Sequence, residues 1–273
     1  MQHHLEKYFR MDKLPHIWCP GCGHGILMGA VVRAIDNLKL EQDKICVVSG
    51  IGCSSRAPGY MNFDTLHTTH GRALAFATGI KLAKPELKVI VVTGDGDCAA
   101  IGGNHLIHAA RRNIDITTIV FNNNIYGMTS GQYSPMTPKG AYATTAPYGN
   151  VDRNFDLCKL AMAAGATYVA RGTAYHTNQL IKFIEDALNH KGFSLVDAVS
   201  ICPTYFGRKN KLGNAINMLK WQKDHAVSVS VAGKLPPEKL EGKFLIGKFH
   251  KSEEPEYVEE YDKIIKKAQE GRK

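Results

Sequence analysis

A carboxylate held between two glycines is the part of this sequence best suited to chemistry. In Gly94-Asp95-Gly96 the glycines let the backbone approach a ligand closely, and the helix expected behind them offers free N–H groups to an anion. Asp95 would repel a bare phosphate, so the pattern favours a cation between the two. Mg²⁺ suits this position, because it takes oxygen ligands, typically one or two carboxylates plus substrate phosphates.

A cluster of asparagines one helix and one strand later supports this interpretation. Asn122-Asn123-Asn124-Ile125 brings amide and main-chain oxygens to the end of the next predicted strand. One carboxylate, one amide and one carbonyl would supply half of the octahedral coordination shell of Mg²⁺, and a diphosphate and water would supply the other half. The alternative is an ordinary loop whose asparagines cap the next turn. The two motifs together favour the metal–diphosphate site.

The elements around these motifs predict a parallel sheet. The apolar, β-branched run that starts at Val89 is typical of a strand buried on both faces. A helix is predicted from Ala99 to Arg112 and the next strand from Ile114 to Phe121. Because strand, turn, helix and strand make a βαβ unit, we expect an α/β fold with a doubly wound, mostly parallel sheet. The ligand should lie outside the carboxyl ends of the strands.

The turn Cys19-Pro20-Gly21-Cys22 is a second candidate site. Its thiolates converge, and the helix predicted from Gly25 to Leu38 should lower their pKa values. The turn is compatible with a redox pair, half of a zinc site or half of an iron–sulfur site. A thioredoxin-like pair should follow a strand, and none is evident before Trp18. Seven cysteines, an odd number without a secretory signal, favour ligands or buried thiols over disulfides.

Two further cysteines follow predicted strands. Cys53 comes after the strand Lys44–Ser49 and Cys202 after the strand Ser194–Val199, so both could meet the Cys19–Cys22 turn at one edge of the sheet. Four soft thiolates fit either zinc or a [4Fe–4S] cluster, and the residues alone do not separate the two. The remaining cysteines are predicted to be core residues, namely Cys46, Cys98 and Cys158.

These motifs together resemble a known family. Gly94-Asp95-Gly96 followed at this distance by Asn122-Asn123 is similar to the thiamine diphosphate motif of thiamine-dependent enzymes. The segment from Asn124 to Gln132 resembles the β subunits of the 2-oxoacid:ferredoxin oxidoreductases, most of all those assigned to 2-oxoglutarate. The similarity runs from about Trp18 to about Gly213.

The resemblance implies a set of binding residues. Mg²⁺ would be held by Asp95, Asn123 and the main-chain oxygen of Ile125. The cofactor would be contacted by Ile51, Gly52, Cys53, Ser54, His70, Gly94, Asp95, Gly96, Asp97, Asn123, Ile125, Tyr126, Gly127, Met128 and Thr129.

The resemblance also decides between zinc and iron. The β subunits carry one [4Fe–4S] cluster, at positions that match Cys19, Cys22, Cys53 and Cys202. The chemistry agrees, because thiamine diphosphate turns a 2-oxoacid into an electron-rich species whose stepwise oxidation needs a one-electron carrier. Zinc has no redox chemistry.

The implied activity is the coenzyme A-dependent oxidative decarboxylation of 2-oxoglutarate to succinyl-CoA and CO₂. Electrons would pass through the cluster to ferredoxin, and the reaction would be reversible. The same chemistry on pyruvate or branched-chain 2-oxoacids is one alternative, and a non-oxidative thiamine-dependent lyase with structural zinc is another. A basic module that binds nucleic acid is disfavoured, because the sequence lacks a basic-aromatic recognition motif.

Three residues are expected at the substrate. The related enzymes imply that Arg56 binds the 2-oxoacid, and its guanidinium could hold the distal carboxylate of 2-oxoglutarate through two charge-assisted hydrogen bonds. His70 is expected to contact the cofactor, and Met128 to form part of an apolar wall. The alternative for Arg56 is a surface or subunit-interface position. Ser130 stands where relatives often carry a lysine, which leaves the choice of 2-oxoacid open.

Length and composition bound the organisation of the chain. Residues 1–213 are predicted to bind thiamine diphosphate and the cluster, and residues 214–273 to form a C-terminal extension for subunit contact. With 44% hydrophobic and 22% charged residues, the composition is that of an ordinary globular protein. No apolar run approaches a membrane span and the stretch Met1–Arg10 is polar, so we expect a cytoplasmic protein without a membrane partner. The net charge of +9 could help to dock an acidic ferredoxin.

A partner subunit is expected from what the chain lacks. Only one glycine–aspartate diphosphate unit is visible, and 273 residues are too few for a second domain of equal size. The resemblance implies that an α subunit supplies the glutamate that activates the cofactor, so the chain alone should be inactive. The expected assembly is (αβ)2 or a larger hetero-oligomer, and further small subunits are compatible with it.

Overall fold

The computed structural model describes residues 4–271. The first three residues of the predicted first domain, which also begin the polar stretch Met1–Arg10, lie outside the described residues. So do the last two residues of the predicted extension.

Within this range the strands form one eight-stranded sheet and one small hairpin. The strands are β1 (Ile45–Ser49), β2 (Asp64–His67), β3 (Lys88–Gly94), β4 (Thr117–Asn122), β5 (Ile125–Tyr126), β6 (Gln132–Tyr133), β7 (Tyr168–Thr173), β8 (Ser194–Val199), β9 (Ala226–Ser228) and β10 (Phe244–Lys251). The order across the large sheet is β2-β1-β3-β4-β8-β7-β10-β9, and β5 pairs with β6. The six strands β2, β1, β3, β4, β8 and β7 are parallel to one another, whereas β10 is antiparallel to β7. The predicted α/β fold with a mostly parallel sheet is confirmed.

Helices cover both faces of the sheet. They are α1 (His24–Asn37), α2 (Ala57–Tyr60), α3 (Ala73–Ala83), α4 (Gly103–Arg111), α5 (Leu157–Ala163), α6 (Thr177–Asn189), α7 (Ala215–His225), α8 (Val229–Ala232) and α9 (Tyr257–Glu270). Two π-helical turns come shortly after strands, Asp97–Ile101 after β3 and Pro203–Gly207 after β8. Such turns are frequent at functional sites.

Alternation along β3 explains why this run forms a strand buried on both faces. Ile90 and Val92 pack into a core with α1 and α6, whereas Val89 and Val91 pack into a second core with α3, α4 and α5. Full burial of one such side chain contributes about 1.5–3 kcal/mol relative to exposure. The sheet is therefore a stable frame for the loops at its carboxyl edge.

The helix predicted over residues 99–112 begins differently in the structure. Its first part is the π-helical turn Asp97–Ile101, and α4 starts only at Gly103. A Cβ atom at Gly102 would lie 2.3 Å from the main-chain oxygen of Asp97, so only glycine fits between the two segments. The break therefore follows from close backbone packing, which helical periodicity does not reveal.

Several strand boundaries also differ from the prediction. β4 begins at Thr117 rather than at residue 114, and Asp115 instead forms an ion pair with Lys81 at 2.7 Å. The sequence did not indicate β2, β9 or β10. β2 lies at one edge of the sheet and is half exposed, so its residues lack the continuous apolar run of a central strand.

The C-terminal extension continues the sheet. β10 pairs with β7, with Gly247 opposite Arg171, and β9 pairs with β10. The carboxylate of Glu256 caps α9 by accepting hydrogen bonds from the main-chain nitrogens of Val258 and Glu259. Among residues 4–271 there is no helix with the length and apolar character needed to cross a membrane.

Candidate active site

Four neighbouring strands deliver the predicted site residues to one edge of the sheet. β1, β3, β4 and β8 are adjacent and parallel, so their carboxyl ends lie side by side. The glycine-rich loop with Cys53, the Gly-Asp-Gly turn, the asparagine cluster and Cys202 follow these four strands in that order. The carboxyl edge of a doubly wound sheet is where ligands bind in such folds.

The predicted cofactor residues line a single cavity. All fifteen of them form the wall of a cavity of about 160 Å³, together with His24 and Phe121. Sequence reasoning missed His24 and Phe121. His24 comes two residues after Cys22 of the cysteine turn, and this position was the only signal that could have identified it. Phe121 ends the predicted strand and carries no polar group that would mark it.

Asp95 is buried in the cavity wall, and within residues 4–271 it forms no ion pair with a cationic side chain. The hydroxyl of Ser134 donates a hydrogen bond of 2.5 Å to its Oδ2 atom, and this partner is neutral. Burial raises the pKa of Asp95 to about 7, although the hydrogen bond from Ser134 opposes the shift. Such a carboxylate gains stability from a bound cation, because a cation favours its ionised form. Sequence reasoning also missed Ser134.

The loop after β4 turns sharply beside Asp95. Asn124 adopts a left-handed conformation with φ of 60°, which asparagine tolerates better than most residues. The main-chain nitrogen of Ile125 donates to Asn123 Oδ1 at 3.3 Å, and Thr137 Oγ1 donates to the main-chain oxygen of Asn124 at 2.5 Å. The turn therefore holds the buried Asn123 side chain in the wall of the cavity.

Tyr126 lies against the Gly-Asp-Gly turn. Its hydroxyl donates to the main-chain oxygen of Gly96 at 3.2 Å. A Cβ atom at Gly96 would lie 2.2 Å from the Tyr126 ring, so glycine is required for this close approach.

Asp97 links three loops of the site. Its Oδ1 atom accepts hydrogen bonds from the main-chain nitrogens of Ile51 at 3.2 Å and Gly71 at 2.7 Å, and from His70 Nδ1 at 2.5 Å. Its Oδ2 atom accepts from Thr93 Oγ1 at 2.7 Å. The loops after β1 and β2 are thus attached to the end of β3.

The three expected substrate residues differ in position. His70 and Met128 line the cavity, and 35% of the His70 side chain is exposed. Because His70 Nδ1 bonds to Asp97, Nε2 is the ring nitrogen left for a ligand. The structure does not bring Arg56 to the cavity wall; this residue ends the turn Ser54–Arg56 and is exposed.

The four cysteines predicted as cluster ligands line a second cavity. Its volume is about 200 Å³, several times the roughly 30 Å³ that one water molecule occupies in the liquid. Trp18, which also lines it, donates from Nε1 to the main-chain oxygen of Cys53 at 2.7 Å. Within the described chain, no three Cys, His, Asp or Glu side chains are grouped closely enough to hold a metal ion.

The expectation that the helix behind Cys22 lowers its thiol pKa is wrong. Burial raises the pKa of Cys22 to about 12 and that of Cys53 to about 11, and it also raises the pKa of Cys202. Loss of hydration therefore outweighs the effect of the N-terminus of α1. The prediction that the other three cysteines are core residues is confirmed, since Cys46, Cys98 and Cys158 are buried.

Comparisons with known proteins agree with this architecture. A family model described as thiamine pyrophosphate enzyme, C-terminal TPP binding domain, matches residues 50–198. The 2-oxoglutarate synthase subunit KorB of Methanocaldococcus jannaschii is 54% identical over 265 residues, which cover 97% of this chain and 98% of that protein. The subunit of the same name from Archaeoglobus fulgidus is 50% identical over 264 residues, 97% of this chain and 95% of that protein.

A solved structure has a similar fold over nearly the whole chain. It is the 2-oxoglutarate:ferredoxin oxidoreductase from Magnetococcus marinus with 2-oxoglutarate, coenzyme A and succinyl-CoA bound. The TM-score is 0.87 at 34% sequence identity, and the match covers 98% of this chain and 91% of that chain. The similarity thus extends beyond the range from Trp18 to Gly213 that the motifs indicate. The chain belongs to the thiamine diphosphate-binding β subunits of the 2-oxoacid:ferredoxin oxidoreductase family.

Proposed function

We propose that this chain is the β subunit of an enzyme that oxidises 2-oxoglutarate and coenzyme A to succinyl-CoA and CO₂, reversibly, and passes the electrons through a [4Fe–4S] cluster to ferredoxin. One observation carries the proposal: the two cavities share a wall formed by Cys53, Asn123, Gly127 and Met128. A cofactor in the first cavity and a cluster in the second would be neighbours, as one-electron oxidation of a bound substrate requires. The names of the similar proteins support 2-oxoglutarate as the substrate.

The residues around Asp95 fit a magnesium ion. A buried carboxylate with a raised pKa, a buried amide and a main-chain carbonyl are the hard oxygen donors that Mg²⁺ prefers. Asn123 Oδ1 accepts one hydrogen bond and keeps a second lone pair for a ligand. Asp95, Asn123 and the main-chain oxygen of Ile125 would hold the ion between the protein and the diphosphate.

The residues of the second cavity fit an iron–sulfur cluster. Cys19, Cys22, Cys53 and Cys202 are soft ligands around a space much larger than a single ion needs. Burial raises the pKa of three of these thiols, and a cationic metal centre would favour their ionised forms instead. The site therefore suits a charged group.

The chain's own residues bind and orient what enters the first cavity. When bound, thiamine diphosphate supplies the electron sink for decarboxylation and the cluster supplies one-electron redox chemistry. Gly94 and Gly96 allow the main chain to approach the diphosphate. Asp97 orients His70, so that Nε2 of His70 is free for a hydrogen bond to cofactor or substrate. Met128 contributes an apolar wall that excludes water.

Arg56 remains a proposed substrate ligand. It ends the turn Ser54–Arg56, whose first residue lies in the cavity wall, and the residue is exposed. It would bind the distal carboxylate of 2-oxoglutarate where the substrate extends past the mouth of the cavity.

The active enzyme would be a cytoplasmic hetero-oligomer, (αβ)2 or larger. The α subunit would supply the glutamate that activates the cofactor, because the thiamine diphosphate-binding unit matched over residues 50–198 already takes up more than half of the chain. Residues 1–213 would carry the two cofactor sites and residues 214–273 would contact a partner subunit.

The test is anaerobic purification of the chain alone and with its α subunit, followed by loading with Mg²⁺ and thiamine diphosphate. We expect the complex to reduce a redox dye when 2-oxoglutarate and coenzyme A are added, and to react more slowly with pyruvate. The lone chain should contain iron with visible thiolate-to-iron absorption, but it should reduce no dye. Full activity of the lone chain, or zinc in place of iron, would contradict the proposal.

A further inference from the structure

Helix α9 is attached to the rest of the protein only through its first turn. Val258 is buried, and Tyr257 packs against the core that α3, α4 and α5 also line. Glu259 forms an ion pair with Lys191 at 2.6 Å. Every residue from 261 to 270 is exposed, although all of them are helical. Within residues 4–271, no other element therefore buries this part of α9.

The attached turn lies at the amino-terminal edge of the sheet. The main-chain nitrogen of Tyr257 donates to the main-chain oxygen of Asn113 at 3.5 Å, and Glu256 accepts from the main-chain nitrogen of Asp115 at 3.2 Å, shortly before β4 begins. The cofactor cavity lies at the opposite, carboxyl edge of the same sheet. A subunit that covers the cavity would therefore leave this helix exposed.

The exposed part of α9 is amphipathic. Its apolar residues recur three or four positions apart, so they lie along one face, which we call the apolar stripe: Tyr261, Ile264, Ile265 and Ala268. The ring of Tyr261 stacks on that of Tyr257, with 5.8 Å between the ring centroids. Isolated helices of about this length are only marginally stable, because most helical stability in proteins comes from packing such a face. The apolar stripe, in which Ile264 is 61% exposed, therefore needs a partner.

The charges beside the apolar stripe change sign in the middle of the helix. Three acidic residues come first and three lysines follow, namely Glu259, Glu260 and Asp262, then Lys263, Lys266 and Lys267. The helix dipole favours this order only within the first and last turns, whereas the sign changes between residues 262 and 263. An acidic half followed by a basic half is complementary to a copy of itself that runs in the opposite direction. A parallel copy would place like charges together.

Glu260 and Lys267 indicate the register of such a pair. They are seven residues apart, almost two helical turns, so they lie on the same side of the apolar stripe. When a two-fold axis relates two helices, a contact from the first residue to the second is repeated in reverse. Glu260 of each copy would face Lys267 of the other, and the axis would pass beside Ile264. In the single chain Glu260 pairs with Lys263 at 2.5 Å, and such an exposed pair is readily exchanged.

We propose that the apolar stripe of α9 pairs with the same stripe of a second copy of this chain, in antiparallel orientation, with two Glu260–Lys267 ion pairs beside it. This pairing identifies a partner for the extension of residues 214–273, and in that respect it rests on the proposed function. The pairing itself requires neither cofactor nor α subunit. One helix pair buries less than a standard interface of about 1,600 Å², so the chain alone should associate weakly and reversibly.

The test is sedimentation velocity of the full chain over a range of concentrations at low salt. Glu260→Lys and Lys267→Glu each convert both ion pairs into like-charge contacts, so each should raise the dissociation constant of the dimer about tenfold. The double variant restores opposite charges and should associate within about threefold of the unmodified chain. An equimolar mixture of the two single variants should also associate, because one copy then carries two lysines where the other carries two glutamates.

Two further charge reversals serve as matched controls. Lys266→Glu and Glu270→Lys change the net charge equally, but each residue lies two positions from the apolar stripe, roughly 200° around the helix. The dissociation constant of either control should stay within about twofold of that of the unmodified chain. Ile264→Glu is an independent variant, because it places two carboxylates beside the two-fold axis. It should abolish the dimer at every concentration tested.

Each outcome decides the proposal. A chain that stays monomeric at all concentrations would overturn it, and so would normal association of the single variants or of Ile264→Glu. Weakening without recovery in the double variant or the mixture would also overturn it, because the antiparallel register would then be excluded. Equal weakening in the controls would indicate net charge rather than a defined face, and would count against it too.

Dye reduction by the complex with the α subunit is measured separately. Intact dye reduction with failed self-association would leave the proposed function standing and overturn only the pairing. Failed dye reduction with normal self-association would contradict only the proposed function.

Discussion

Asp95 and Asp97 lie two residues apart and both are buried, but they differ in their hydrogen-bond partners and therefore in their roles. Asp97 accepts four hydrogen bonds and links three loops, so its oxygens are occupied by the protein. Asp95 has a single side-chain donor, Ser134, and a pKa raised to about 7 by burial. Asp95 has only neutral hydrogen-bond donors among the described residues and thus favours a bound cation, whereas Asp97 is a positioning residue.

We expect Asp95→Asn to abolish magnesium-dependent binding of thiamine diphosphate. The amide keeps the shape and can still accept the Ser134 hydrogen bond, but it lacks the charge that the ion needs. The dissociation constant, measured by calorimetric titration with Mg²⁺ and thiamine diphosphate, should rise at least about 100-fold. Asp43→Asn, at an exposed position, is the control and should leave the constant unchanged. Tight binding by the Asp95 variant would contradict the assignment.

The cysteines allow a second test at this scale. Cys202→Ser should remove most of the iron and the visible absorption of anaerobically purified protein, because it replaces one of the proposed thiolate ligands. Cys46→Ala is the matched control, since Cys46 is buried inside β1 and lines neither cavity. Iron content equal to wild type in the Cys202 variant would exclude that cysteine as a ligand.

At the scale of elements, the site depends on how closely the loops after β1 and β3 approach each other. A Cβ atom at Gly50 would lie 2.1 Å from Asp97 Oδ2, where the buried carboxylate meets the end of β1. The loop that carries Ile51 and Cys53 can therefore keep its place only if residue 50 is glycine.

We expect Gly50→Ala to lower the free energy of unfolding of the chain by more than about 2 kcal/mol and to weaken cofactor binding. Gly79→Ala is the control. Gly79 lies within α3, and apart from its chain neighbours and the nearby backbone of the same helix no atom lies within 4 Å of the Cβ position there, so alanine should stabilise the helix by about 1 kcal/mol. Urea denaturation measures both changes. A neutral effect at residue 50 would show that the loop can shift without cost.

A buried ion network connects β7, β8 and the start of α5. Arg171 donates from Nε to Asp197 at 2.7 Å and from a terminal nitrogen to Asp156 at 2.7 Å. Arg171→Met would leave two carboxylates without their cation, so we expect a loss of about 3–5 kcal/mol in the free energy of unfolding. Removing Lys182, the exposed partner of Glu185, should change the free energy of unfolding far less, because solvent screens an exposed ion pair. Denaturant unfolding of the two variants tests the difference.

At the scale of the whole molecule, the cavity mouth is too apolar for a free surface. Ile51 is 50% exposed and Met128 is 42% exposed, both at the cavity. An α subunit that completes the active site should cover them. We expect its addition to slow amide hydrogen exchange in residues 50–54 and 126–130, whereas peptides from α9 should be unaffected. Unchanged exchange at the cavity would mean that the partner binds elsewhere.

Much of the fold was predictable because its signals are local. The β-branched run at Val89, the helix behind the cysteine turn and the strand Ser194–Val199 each follow from burial periodicity, and the structure contains all three. Strands β2, β9 and β10 were missed, and β2 and β9 lie at the two edges of the sheet. Their pairing is decided by partners far along the chain, such as β7 for β10, and edge strands carry weaker apolar patterns.

The sequence by itself determined which donor types could meet at the two sites, oxygen donors at one and thiols at the other, because strand-end positions limit which residues can meet at one edge of a parallel sheet. It could not supply distances or burial, which depend on packing between segments far apart. Only the tertiary structure decided that the two cavities share a wall, that Arg56 stands outside it, and that His24 and Ser134 belong to the site. The raised thiol pKa values also arise there, because dehydration depends on every segment that covers a side chain.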